Sequence, residues 1–168
     1  MKIAWFGGRT VRLHIAGQIL VWHPEPIAGV ASEELTSGAD RVIGDESDLP
    51  KIDGEAWRPR RPPTAIEPAE QGVEVFRLGA DAVMVDAPGE APLLLLGGPP
   101  PGVGRWSRDA VVVAFDAHAA ASALEALQPR LIALAVAGDA VDAAFAALRD
   151  RLGGTALSAL EPGLALEV

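Results

Sequence analysis

The chain of 168 residues predicts an α+β domain in which an antiparallel β half precedes a βαβαββ half. Three observations carry this. TVRLHI (10–15) alternates strictly, with Val11, Leu13 and Ile15 on one face and Arg12 and His14 on the other, the period of a strand with one wet face. DAVVVAF (109–115) and RLIALAV (130–136) are unbroken apolar runs, as in strands covered on both faces. Each of those runs leads into a stretch rich in helix formers, which is the alternation of an α/β half.

The elements follow in order. KIAWF (2–6) ends at Gly7-Gly8, and Ala16-Gly17 turns TVRLHI back into QILVW (18–22), which Pro24 and Pro26 stop. SEELTSG (32–38) reads as one or two helical turns with Ser32 as cap and Gly38 as stop, and DRVIG (40–44) as a short strand. Residues 45–72 are rich in proline and charge and read as a long irregular connection. VEVFRL (73–78), DAVMVDA (81–87) and PLLLLG (92–97) form an antiparallel meander. After the Gly/Pro loop 97–107, the apolar strands alternate with helices at 117–127 and 139–154, the second capped by Asp139 and ended by Gly153-Gly154. TALSAL (155–160), a turn at Pro162-Gly163 and LALEV (164–168) are expected to close the chain as a hairpin.

Composition bounds the function. The length fits one domain over residues 1–168 with a real core. A net charge of −9 argues against a broad nucleic-acid surface. No apolar run nears the ~20 residues of a membrane span, and no leader-like apolar segment stands at the start, so a cytoplasmic location is expected. The absence of cysteine excludes disulfides and thiolate ligands.

MKIAWFGGRTVRLHIAGQILVWHPEP at the start and LEPGLALEV (160–168) at the end resemble small metallo-β-lactamase-fold hydrolases, the group similar to the ascorbate-lactone hydrolases. The resemblance implies a shortened αββα sandwich. It also implies a dinuclear metal site, and there this chain departs from the family. The first turn carries Gly8 where the family has histidine after glycine. The His-x-His-x-Asp-His places align with Glu46, Asp48, Pro50 and Lys51, the bridging aspartate with Gly98, and the last histidine with Val136 or Ala137. Such a site needs imidazoles and a water-orienting carboxylate, whereas Pro50 has no ligand atom and Lys51 brings a cation. No zinc is therefore expected.

Other candidates remain. Asp45, Glu46 and Asp48 form an acidic turn whose oxygens could hold a hard cation such as Mg²⁺ or Ca²⁺, with His118 or His23 as catalytic partners in a rebuilt hydrolase site. Arg9, Lys51 and the Arg58, Arg60 and Arg61 cluster could hold an anionic ligand. Against these stand solvated loops and surface or turn histidines. The glycines of GGPPPGVG lack the Lys-Ser/Thr of a phosphate loop, and Ser107 and Ser158 lack a nucleophile-elbow context. Trp5 and Trp22 are expected in or beside the first sheet, and Trp106, in a loop, could anchor an interface. The resulting expectation is a binding or assembly protein, homo-oligomeric or paired with another protein through exposed sheet edges.

Overall fold

The alternating and continuous apolar strands resolve into two facing sheets. The computed structural model describes residues 1–44, 46–60 and 72–168. The first sheet holds β1 (Lys2–Gly7), β2 (Thr10–Ile15), β3 (Gln18–Trp22), β4 (Arg41–Ile43) and the last strand, β11 (Ala165–Glu167), in the order β11-β1-β2-β3-β4. The second holds β5 (Glu74–Gly79), β6 (Ala82–Asp86), β7 (Leu93–Leu96), β8 (Val111–Ala114), β9 (Leu131–Leu134) and β10 (Ala156–Ala159), in the order β10-β9-β8-β7-β6-β5. Both sheets are mixed. β3 and β4 run parallel in the first, as do β7 to β10 in the second. The expected meander is present as β5-β6-β7, antiparallel throughout.

One apolar layer fills the space between the sheets. Ile3, Trp5, Val11, Leu13, Ile15, Leu20 and Trp22 of the first sheet meet Val75, Val83, Val85, Leu93, Leu95, Val111 and Val113 of the second. A second layer lies on the far face of β5–β10. There Met84, Leu94, Leu96, Val112, Ile132 and Leu134 pack against α2 (Ala117–Leu127) and α3 (Gly138–Leu148). The strands of the second sheet are thus buried on both faces, which is why VVVA and LIAL are apolar without alternation.

The outer face of the first sheet carries the five-residue helix α1 (Ser32–Thr36), whose Leu35 is buried. Arg12 holds it there by donating to the Leu35 and Ser37 carbonyls at 3.1 and 2.7 Å. These are terminal helix carbonyls with no intrahelical partner, and a cation suits that end of the dipole.

Some expectations are corrected. The closing segment is not a hairpin: β10 runs parallel to β9 in the second sheet, and the chain then crosses through Glu161–Leu164 to place β11 antiparallel to β1 in the first. Leu160 points into the layer between the sheets, so the turn at Pro162-Gly163 joins two sheets rather than two neighbours. Asp139 is not the cap of α3, since that helix begins at Gly138 with Ala137 before it and no side-chain cap. It ends at Leu148, not at Gly153. Ser32 is likewise the first helical residue of α1 and not its cap. Asp116, by contrast, caps α2 by accepting from the Ala119 amide at 2.6 Å. The connection 45–72 carries a short 3₁₀ turn at Glu46–Asp48 and a bridge from Lys51 to Arg77; Asp45 and residues 61–71 lie outside the described residues.

Two surface features yield predictions. The β2–β3 turn places both Ala16 (φ 47°) and Gly17 (φ 77°) in the left-handed region that alanine resists. Ala16→Asn is expected to stabilise the fold by roughly 0.5–1 kcal/mol, read as a higher urea midpoint at unchanged slope.

Lys2 and Glu167 tie β1 to β11 through a 2.7 Å ion pair. The hydrogen bond and charge of Lys2 hold the Glu167 carboxyl below its ordinary range, and Glu167 raises Lys2 for the same reasons. The Glu167 share of stability is present above its unfolded value of ~4.3 and fades as pH falls through the lowered folded value. The Lys2 share is present below ~10.4 and fades as pH rises through the raised folded value. Carboxyl NMR titration of Lys2→Met is expected to return Glu167 to the usual glutamate range.

Candidate functional site

The chain turns that leave the sheets at one end enclose a cleft of about 680 Å³. Strands β8 and β9 deliver their carboxyl ends to it, followed by Phe115-Asp116-Ala117 at the start of α2 and Val136-Ala137-Gly138 at the start of α3. Trp5, Gly7 and Gly8 close it from the first sheet, and Pro162 of the crossing segment from the side. The crevice beyond the carboxyl ends of parallel strands is where α/β sheets hold ligands.

The local geometry follows from the residues. Gly7 and Gly8 take φ of 130° and 50°, and the bulge between Trp5 and Gly7 bends β1 out of the sheet. The Trp5 indole donates from Nε1 to the Gly8 carbonyl at 3.0 Å, so its polar handle is committed and only its ring remains for the cleft. Asp116 is the one titratable side chain in the lining, and its carboxylate already caps α2. The remaining walls are aliphatic, phenyl, prolyl or bare backbone.

The arginine and histidine of the neighbouring turns are tied to the fold. Arg9 Nη1 lies 2.8 Å from Asp81 Oδ1, linking the β1–β2 turn to the β5–β6 turn. The guanidinium rests on Gly97, where an added Cβ would collide with it. The Asp81 amide donates to Glu46 Oε1 at 3.4 Å. His23 (φ 49°) follows β3; its amide donates to the Ile43 carbonyl at 2.8 Å, and its carbonyl accepts from the buried Thr10 hydroxyl at 2.8 Å. His23 Nδ1 sits 3.1 Å from Glu25 Oε1 but out of line for a hydrogen bond.

The structure does not gather the sequence-predicted residues into one site. Glu46 and Lys51 share a separate depression with Arg77, Gly79 and Ala80. One carboxylate facing two cations does not suit a hard metal ion. Asp48 is exposed on the 3₁₀ turn, and His118 is exposed on the first turn of α2. Asp45 and Arg61 lie outside the described residues. Among the described residues, no group of three or more His, Asp or Glu side chains converges as metal ligands would. Gly8, Val136 and Ala137, aligned with family ligands, do line the cleft, and none of them offers a ligand side chain. The described residues at those positions therefore do not fit a dinuclear metal site.

Arg58 and Arg60 are engaged within the fold. Arg58 Nη1 donates to the Glu55 and Trp57 carbonyls, both at 2.7 Å. Arg60 donates from Nε to Asp86 Oδ2 at 2.5 Å, reaches the Asp86 and Gly72 carbonyls, and lies 3.4 Å from Glu74 Oε2. Asp86 is only 2 % exposed, and among the described residues Arg60 is the cation it faces. Trp106 is a core residue, not an interface anchor. It is buried, donates to the Gly54 carbonyl at 2.8 Å, and meets Trp57 edge-on at 4.8 Å.

Sequence reasoning set Val136 or Ala137 at the site only through the resemblance, and missed the lining residues Trp5, Phe115 and Pro162. The available signal was positional. FDA (115–117) and VAG (136–138) each end a buried strand and open a helix, opposite a glycine pair. Comparisons with protein-family models, curated proteins and solved structures found no match to this chain. No helix among the described residues is long and apolar enough to cross a membrane.

The Arg60 fastening is directly testable. Arg60→Ala leaves the Asp86 carboxylate buried without its guanidinium and is expected to cost about 3 kcal/mol in chemical denaturation. Arg60→Lys recovers only part of that, because an ammonium cannot match the fork that reaches both the carboxylate and the backbone carbonyls.

Proposed function

We propose that this chain is a shortened αββα sandwich of the metallo-β-lactamase type that works by binding, without a dinuclear metal. In the family that its termini resemble, the corresponding positions supply metal ligands. Here they carry Gly8, Glu46, Asp48, Pro50, Lys51, Gly98 and Val136 or Ala137, and Arg9, next to Gly8, is paired with Asp81. The observation that carries the reading is the chemistry of the cleft. Its walls are apolar and its single carboxylate is engaged by backbone, so it offers burial and shape but no free acid, base or nucleophile. A volume of about 680 Å³ lies within the ordinary range for small-molecule pockets. With no cation in the lining, the site suits a neutral, largely apolar molecule that stacks on Trp5 and Phe115.

The neutral fluorophore N-phenyl-1-naphthylamine tests this. It is expected to brighten on binding and to bind about tenfold more weakly to Ala140→Trp, which fills the cleft from an exposed position. An unchanged affinity in that variant would place the dye elsewhere. Stoichiometric zinc, manganese or iron retained through dialysis would overturn the metal-free reading.

A further inference from the structure

We infer that β10 is a self-pairing edge, and that two copies of this chain join antiparallel through it into one continuous twelve-stranded sheet. The inference goes beyond the cleft and does not depend on what the cleft binds.

The register of β10 carries it. The Ala156 amide donates to the Arg130 carbonyl at 2.9 Å and the Leu160 amide to the Leu134 carbonyl at 2.8 Å. Backbone groups alternate sides along a strand, so Ala156, Ser158 and Leu160 turn theirs toward β9. Leu157 and Ala159 then turn their amides and carbonyls outward, where no other strand among the described residues lies. The Ala159 carbonyl receives a long 3.4 Å contact from the Ser158 hydroxyl and keeps room for a second donor.

Two outward residues flanking one inward residue are self-complementary. With a two-fold axis at Ser158, Leu157 of one copy faces Ala159 of the other. In an antiparallel ladder such a pair exchanges both its hydrogen bonds, giving four in all. The two Ser158 side chains then meet across the axis, where hydroxyls can bond to each other.

The surroundings favour a second copy over solvent. Residues 155–160 (TALSAL) carry no charge and no proline, two of the devices that guard an open edge, although β10 is only four residues long. The opposite edge of the same sheet is treated differently. β5 carries Glu74 and Arg77 and is partly covered by the Lys51 bridge. Beside the β10 edge lies Leu164, 60 % exposed and one of two large exposed hydrophobic residues among the described ones. It borders a groove of about 130 Å³ lined by Ala159, Leu160, Glu161, Ala165 and Leu166, between the open edges of the two sheets. The groove is open to solvent, so a side chain of the other copy can enter it from the edge.

Sedimentation equilibrium of the full chain decides the matter. The wild type is expected at twice 17.4 kDa at micromolar concentration. Ala159→Pro removes an outward amide without touching the ladder to β9. Leu164→Glu adds a charge at an exposed position that cannot upset the core. Both variants are expected to sediment at the single-chain mass with unchanged far-UV circular dichroism. If Ala159→Pro fails to fold, Leu164→Glu alone distinguishes the two outcomes. A monomeric wild type, or a dimer that persists in a folded variant, overturns the inference. Neither result bears on the metal content or the dye affinity that test the cleft.

Discussion

The apolar layer between the two sheets is the constraint from which the rest of this structure follows. Each sheet has a face that water cannot satisfy, and each covers the other. At roughly 25 cal/mol per Å² of apolar surface removed from water, a shared layer of this kind dominates the favourable side of folding. Ile3, Leu13, Leu20, Leu93, Val111 and Val113 are essentially inaccessible within it. The last strand obeys the same demand. Leu160 and Leu166 both turn toward the layer, so the chain must cross from one sheet to the other between them. That crossing puts Pro162 beside the cleft and opens two strand edges on one side of the molecule.

Charge plays a secondary, fastening part. Arg12 holds α1 on the outer face, Arg9 joins two turns, and Arg60 holds the described part of the long connection to β6 through Asp86. Exposed pairs of this sort contribute at most about 1 kcal/mol each, whereas the nearly inaccessible Asp86 makes its pair costly to break. None of these charges lines the cleft: Arg9 stands next to its Gly7-Gly8 wall but pairs with Asp81, and Asp86 lies at the other end of the second sheet. That separation is why it presents surface for contact and not groups for proton transfer.

Much of the fold was legible in the sequence, because its signals are local. The alternation of TVRLHI gave β2 its inner face, and the alanine-rich run of helix formers placed α2 at 117–127. Two mixed sheets and three helices agree with the α+β class that those patterns imply. The closing segment misled because Pro162-Gly163 has the chemistry of a tight turn, while its strands belong to different sheets. A turn motif reports local backbone and not which partner each strand finds. Arg60 misled for a related reason: its partner lies 26 residues away, and spacing alone cannot tell a fastener from a ligand cluster. Trp106 finds its acceptor 52 residues away, at Gly54.

The site was less legible than the fold. Its walls are mostly glycine and alanine, with Trp5, Phe115, Asp116, Val136 and Pro162, a set that spells no motif, brought together by the ends of three strands and the crossing segment. The scarcity of imidazoles was readable; the apolar cleft beyond the ends of β8 and β9 was not. On this account, burial between the sheets holds the fold, and no ion is needed to join the turns that surround the cleft. Thermal unfolding of the full chain with excess chelator, and again with added zinc, tests this most directly. The account predicts the same midpoint in both conditions, whereas a midpoint that falls by several degrees on chelation and returns with zinc would contradict it.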